Sequence, residues 1–268
     1  MCCAVKGLAG WNLEHVSTIC RERCGGGSYT AHSRIHEGIM TSHSAMTAEG
    51  DNRVLMQKIV KDILSDMQKG VFRAPKMTKC PKRGLPAQES VSDLESLVNL
   101  VYFKELAETK AMAESLQHKL LTEGKKFYDV WMHEVSDQIQ SLAVAYGERF
   151  CLEAATEALQ KMPGKGKAVL AKAVRLHCLA LVREHLGWYL LQGVVSHKAG
   201  AALEADYQAA VQDCLGHLNE YIEAFNLPKV PQLFPPIVRD YAKFNEQPDQ
   251  DNVEAAGGFF DFRQGPKL

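Results

Sequence analysis

A chain of 268 residues that is 46% hydrophobic and 24% charged can bury a sizeable core, as one large domain or two modest ones. Its 31 Lys and Arg balance 32 Asp and Glu, and a formal charge of -1 argues against nucleic acid as the main partner. No apolar run approaches the roughly 18 residues of a membrane span, so no membrane partner is expected, and the opening MCCAVKGLAGW lacks the parts of a secretory signal.

Residues 2–23 are predicted to form a helix, with Val5, Leu8, Ala9, Val16, Ile19 and Cys20 at helical spacing and Trp11 and Leu13 widening the face. No cap precedes it, which leads to the expectation that a preceding part of the protein is missing. Cys24-Gly25-Gly26-Gly27-Ser28-Tyr29 ends the helix. Its glycines suit a left-handed C-terminal cap, or a close approach of backbone N–H groups to a phosphate or cofactor edge. It is no nucleotide fingerprint, because no strand precedes it and neither GxGxxG nor GK[ST] is present. Residues 30–47 are polar and are expected to be a solvated loop. His32 and His36 stand four apart downstream of Cys20 and Cys24, but neither HExxH nor CxxC is formed, so no metal is expected. Most cysteines stand singly in apolar stripes and read as reduced thiols of an intracellular protein.

Met46-Thr47-Ala48-Glu49-Gly50-Asp51-Asn52 places one carboxylate in a turn at the mouth of a helix. Gly50 permits a positive φ or a close approach, and Asp51 or Asn52 can cap the helix over 53–69. That helix carries an apolar stripe of Met56, Ile59, Val60, Ile63, Leu64 and Met67. Residues 71–90 read as a linker, punctuated by prolines and basic at Arg73, Lys76, Lys79, Lys82 and Arg83. Ser92-Asp93-Leu94-Glu95 reads as a capping box that opens a helix running to Gly124. A second helix, through Phe127, Trp131, Val135, Ile139, Leu142, Tyr146 and Phe150, is expected to end near Met162. Helices over 168–193 and 202–225 follow, then a proline-rich end with a short helix near 237–245. Pro163-Gly164-Lys165-Gly166-Lys167 is a turn and not a phosphate loop. His177 and His185 read as hydrogen-bonded core residues. No segment alternates with a strand period, so the chain is expected to be all-α with long antiparallel helices.

Cys20-Arg21-Glu22-Arg23-Cys24-Gly25-Gly26-Gly27-Ser28-Tyr29 resembles the C-R-E-x-C-G-G-x-G-Y stretch of peroxisomal-type acyl-CoA oxidases. Thr47 to Gln57 resembles their T-x-E-G-D-N-x-V-L-x-Q motif. The spacing between the two also fits, and the helical region after the linker is similar to the extra C-terminal domain of these oxidases. The resemblance divides the chain into the C-terminal part of a flavin-side helical bundle (1–70), a linker (71–90) and a second antiparallel helical domain (91–268). It implies that Glu49 is the base that removes the α-proton of a fatty acyl-CoA. It places Gly50 near the substrate thioester, and Glu22, Arg23, Cys24, Gly25, Gly26, Asp51, Asn52 and Arg53 against FAD. The implied products are a trans-2-enoyl-CoA and, after reoxidation by molecular oxygen, hydrogen peroxide. A homodimer with a shared flavin site and a peroxisomal location are implied too. The final Pro266-Lys267-Leu268 matches two positions of a Ser-Lys-Leu address.

The departures are Ala48, where the family has an aromatic residue, and Gly27-Ser28, where x-Gly is usual, so a position needing φ > 0 is expected to have slid by one. Parts that carry much of the flavin and CoA contact are not in this chain. The chain alone is therefore expected to bind FAD weakly or not at all and to lack oxidase activity. Two alternatives stand beside this reading: an acyl-CoA dehydrogenase serving an electron carrier, and a non-catalytic helical dimerisation module.

Overall fold

The computed structural model describes residues 2–29, 33–77 and 91–226, and all their regular elements are helical. In order they are α1 (Cys2–Arg23), a 3-10 turn (Gly25–Tyr29), α2 (Ile35–Thr47), α3 (Asn52–Gln68), α4 (Leu94–Gln117), a π-helical turn (His118–Thr122), α5 (Phe127–Asp129), a second π-helical turn (Val130–Glu134), α6 (Ser136–Lys161), α7 (Gly164–Glu184), α8 (Leu186–Leu191), α9 (His197–Leu215) and α10 (Leu218–Ala224). The all-α expectation therefore holds. The expected short helix near 237–245 and the Lys-Leu ending lie outside the described residues.

Tertiary contacts divide the chain into two units. One comprises Met1–Leu8 with Asn52–Phe225, and the other is mainly Ala9–Asp51 among the described residues. In the larger unit α4 packs on α6 and α7, α3 packs on α6, and α9 packs on α7. Leu97, Leu100, Val101, Leu152, Leu179, Val182 and Leu203 are almost wholly removed from water and form the centre of its core. Burying a leucine or valine side chain contributes about 1.5–3 kcal/mol, so this core dominates the stability of the unit. Tyr189 is buried among these residues and donates its hydroxyl to the Leu100 carbonyl at 3.2 Å. The first turns of α1 join this unit through small residues. A Cβ placed on Gly147 of α6 would lie 2.7 Å from Leu8 Cδ1 and 3.4 Å from Ala4 Cβ.

Several boundaries differ from expectation for local physical reasons. Residues 35–47 are helical, not a loop, and α2 approaches α1 at Gly38, where a Cβ would stand 2.8 Å from Ser17 Oγ. The cap of α4 is Asp93 and not Ser92: its carboxylate accepts the Ser96 N–H at 2.8 Å. The spacing 127, 131, 135, 139 is four residues at every step, which drifts by about 40° per step on a 3.6-residue helix. A π-helical turn at Val130–Glu134 absorbs that drift, leaving Trp131, Val135 and Ile139 buried and Phe127 exposed. The predicted helix over 168–193 breaks at His185, whose Nε2 lies 3.5 Å from Glu148 Oε1, and the one over 202–225 breaks at Gly216–His217.

The sequence does not mark the buried charges of the larger unit. Glu105, on α4, is fully buried and accepts two bonds from the Arg149 guanidinium on α6. Arg149 also bonds Glu153 at 2.6 Å and lies 5.0 Å from the Tyr146 ring centroid. Burial raises the Glu105 carboxyl above its ordinary range despite the bonds from Arg149. Burial works against the Arg149 charge, but the bonds and charges of Glu105 and Glu153 prevail and hold it above its ordinary value.

Candidate active site

The smaller unit carries two turns that contain most of the predicted site. The first follows α1. Arg21 and Arg23 complement the negative end of this helix, and the Cys24 N–H closes its last turn on the Cys20 carbonyl at 3.0 Å. Gly25 then takes φ +61°, a left-handed cap. Ser28 is buried and shares its hydroxyl between the carbonyls of Arg21 (2.7 Å) and Gly25 (2.6 Å). Ser33 continues the clasp by donating to the Ser28 carbonyl at 3.0 Å. The left-handed position is therefore Gly25, and neither Gly27 nor Ser28 has taken it over. Ser28 stands in its place as a latch, a role signalled in the sequence only as a departure from the motif.

Glu22, Arg23, Cys24, Gly25 and Gly26 are all exposed. A Cβ placed on Gly25 or Gly26 would meet no atom within 4 Å. Gly25 is accounted for by its φ. Gly26 has neither a positive φ nor a described neighbour that excludes a side chain, so nothing among the described residues requires glycine there. The open backbone of this turn fits the approach of an outside group.

The second turn follows α2. Arg34 stands before α2 in a left-handed conformation, φ 54°, and forms a two-bond ion pair with Glu37 at 3.0 and 2.7 Å. The Arg34 bond holds the Glu37 carboxyl below its ordinary range. Ala48 ends α2, its N–H bonded to the Ser44 carbonyl at 2.9 Å. Glu49 then has φ +58° and Gly50 φ +104°. A left-handed glutamate is uncommon and costs roughly 1–2 kcal/mol. Two successive positive φ values form this turn, in which Glu49, Gly50 and Asp51 are exposed.

Asn52 and Arg53 open α3 in the larger unit. Asn52 is buried: its Oδ1 accepts from Lys6 Nζ at 2.7 Å and its Nδ2 donates to the Gly7 carbonyl at 3.3 Å. Its side chain thus ties α3 to the start of α1, a use that no local pattern announces. Arg53 is exposed; its guanidinium bonds Gln140 Oε1 at 3.4 Å, and its carbonyl accepts from Gln140 Nε2 at 3.0 Å. The larger unit also holds a polar cleft of about 610 Å³, walled in part by Asp66, Tyr146 and Arg149, and none of the predicted site residues lines it. Among the described residues no three His, Cys, Asp or Glu side chains are grouped to hold a metal, and His32 lies outside them.

Two family models match this chain: the C-alpha1 domain of acyl-CoA oxidase over residues 1–64, and acyl-CoA oxidase over residues 93–229. The second alone covers half of the chain. The chain belongs to the acyl-CoA oxidase family. An acyl-coenzyme A oxidase-like protein of Mus musculus is 26% identical over 242 residues, which span 84% of this chain and 38% of the mouse protein. Acyl-CoA oxidase 1 of Yarrowia lipolytica has the same helical fold, with a TM-score of 0.73 at 17% identity over 84% of this chain and 34% of the yeast protein. Acyl-CoA oxidase-2 of Caenorhabditis elegans, whose structure is bound with FAD, ascaroside-CoA and ATP, superposes with a TM-score of 0.70 at 13% identity over 84% of this chain and 34% of its own. The chain therefore spans little more than a third of the length of these relatives.

Proposed function

We propose that this chain supplies the catalytic base and part of the flavin contact of an acyl-CoA oxidase that converts fatty acyl-CoA to trans-2-enoyl-CoA in β-oxidation. The observation that carries this reading is Glu49. An exposed carboxylate stands at φ +58° ahead of Gly50 at φ +104°, inside a motif the family shares. Strain of this kind persists where the surroundings over-determine it and clusters at functional sites.

The α-proton beside a thioester is weakly acidic. Glu49 takes it, and the taut turn limits the positions its carboxylate can reach. A backbone N–H of the same turn, next to Gly50, is suited to hold the thioester oxygen as charge develops there. Removal of Glu49 from water is left to groups other than the described residues, none of which covers it. Glu22, Arg23, Cys24, Gly25, Gly26, Asp51 and Arg53 would hold FAD, together with the backbone of Asn52, whose side chain is committed to α1. Bound FAD supplies the acceptor for the β-carbon hydride and the route by which the electrons reach molecular oxygen, giving hydrogen peroxide. A homodimer and a peroxisomal location belong to the same proposal, the latter on the Lys267-Leu268 ending.

The test is Glu49→Gln in a protein that includes the family's N-terminal domains, read by peroxide release and by the flavin spectrum. Loss of turnover by about a hundredfold or more, with the flavin spectrum retained, is expected for a general base. Turnover that survives the substitution would exclude Glu49 as the base and favour a non-catalytic helical module. The 268-residue chain alone is expected to leave the spectrum of added FAD unshifted, since all the residues meant for it except Asn52 stand in water.

A further inference from the structure

We propose that a cleft between α4, α6 and α7 binds an amphipathic anion, an alkyl chain with a carboxylate head. The cleft has a volume of about 450 Å³, within the range of roughly 300–1,000 Å³ found for small-ligand pockets. Its floor is apolar, formed by Leu94 and Val98 of α4, Leu159 of α6 and Ala171 of α7, with the buried ring of Tyr102 beside them. Such a floor matches an alkyl chain, and the neutral polar side chains of Asn99, Thr156 and Gln160 line the cleft beside it.

The rim has the opposite character. Lys76 and Lys167 line the cleft, are exposed, and have no ion-pair partner among the described residues. Three other lysines of the same unit, Lys104, Lys161 and Lys172, pair with Glu108, Glu157 and Asp213. The rim also gathers two helix beginnings. Leu94 and Glu95 are the first two residues of α4, and Lys167 lies in the first turn of α7. Pro163 gives α7 no side-chain cap, so the first N–H groups of this 21-residue helix keep their partial positive charge. Glu95 is the one acidic side chain lining the cleft, and two lysines outweigh it. A cationic rim above an apolar floor selects an anionic head over a neutral or cationic one.

The inference is independent of the flavin reading, since none of the residues proposed to hold FAD, and not Glu49, lines this cleft. Isothermal titration of the 268-residue chain with sodium octanoate and sodium decanoate, each below its micelle concentration, tests it. Decanol and decyltrimethylammonium serve as head-group controls. Saturable one-site binding of decanoate is expected, with a gain over octanoate of up to about fourfold per added methylene. Lys76→Gln with Lys167→Gln should weaken decanoate binding by about fivefold and flatten its salt dependence. Both sites are exposed, so this variant tests the proposal without threatening the fold. Ala171→Phe, which fills the floor, should abolish binding with an unchanged circular dichroism spectrum. Absence of saturable binding, equal binding of decyltrimethylammonium, or full affinity in the lysine double variant would each overturn the proposal.

Discussion

The two units treat their charged and strained residues in opposite ways. Within Asn52–Phe225, Glu105 and Arg149 are buried and answer each other, Asn52 is bonded on both ends of its amide, and Tyr189 finds a carbonyl in the core. Within Ala9–Asp51, Glu22 to Gly26 and Glu49 to Asp51 stand in water, and the two left-handed non-glycine residues among those described there, Arg34 and Glu49, flank α2. Exposed large apolar side chains do not separate the units: Val16, Ile19, Tyr29 and Met40 are exposed in the smaller, and Leu121, Tyr128, Leu191 and Phe225 in the larger. A region that satisfies its own groups is built for stability. One that holds polar and strained groups open at some energetic cost is built to meet something else.

The largest test of that contrast is Arg149→Met. It leaves Glu105 buried without its cation and should cost about 3–5 kcal/mol, read as a lower urea midpoint. Adding Glu105→Leu should return most of the loss, because the uncompensated charge is then gone. A small loss from Arg149→Met alone would mean that the larger unit does not depend on internal pairing.

An intermediate effect is expected at the start of α4. Asp93→Ala removes a cap worth about 1 kcal/mol. Burial pushes the Asp93 carboxyl up, but the bonds from Ser96 outweigh it and set its pKa below the ordinary value. Its contribution is therefore present above the unfolded-state pKa of about 3.9 and is lost as pH falls through the lower folded value. The stability gap between wild type and Asp93→Ala should close over that acid window and stay constant above it.

The smallest effect separates the two units most sharply. Gly26→Ala should change stability by no more than about 0.5 kcal/mol, because the new methyl meets nothing and φ is not positive. A large loss of stability would show that Gly26 serves the fold, and would remove the argument that its backbone is kept open for an outside group.

Much of the fold was legible beforehand because helical periodicity is local. The apolar stripe Met56, Ile59, Val60 and Ile63 is buried as its spacing predicts, and α1 has the bounds the pattern suggested. The misread places are those where local rules compete. Residues 35–47 are polar enough to pass for a loop, yet Gly38 lets that stretch lie against α1 as a helix. Ser92 and Asp93 can both cap, and the geometry of the first turn chose Asp93. The candidate site was legible through its motif alone, since no periodicity singles out Glu49.

By itself, then, the sequence determined the helical class, the family and the two motif turns, because spacing and motif are properties of neighbouring residues. The tertiary structure alone decided that Glu49 is left-handed, that Ser28 latches the glycine turn, that Asn52 faces inward and that Glu105 meets Arg149. Each of these depends on a partner or a backbone conformation that helical spacing does not encode, and burial fixes their energetic weight only once distant segments have met.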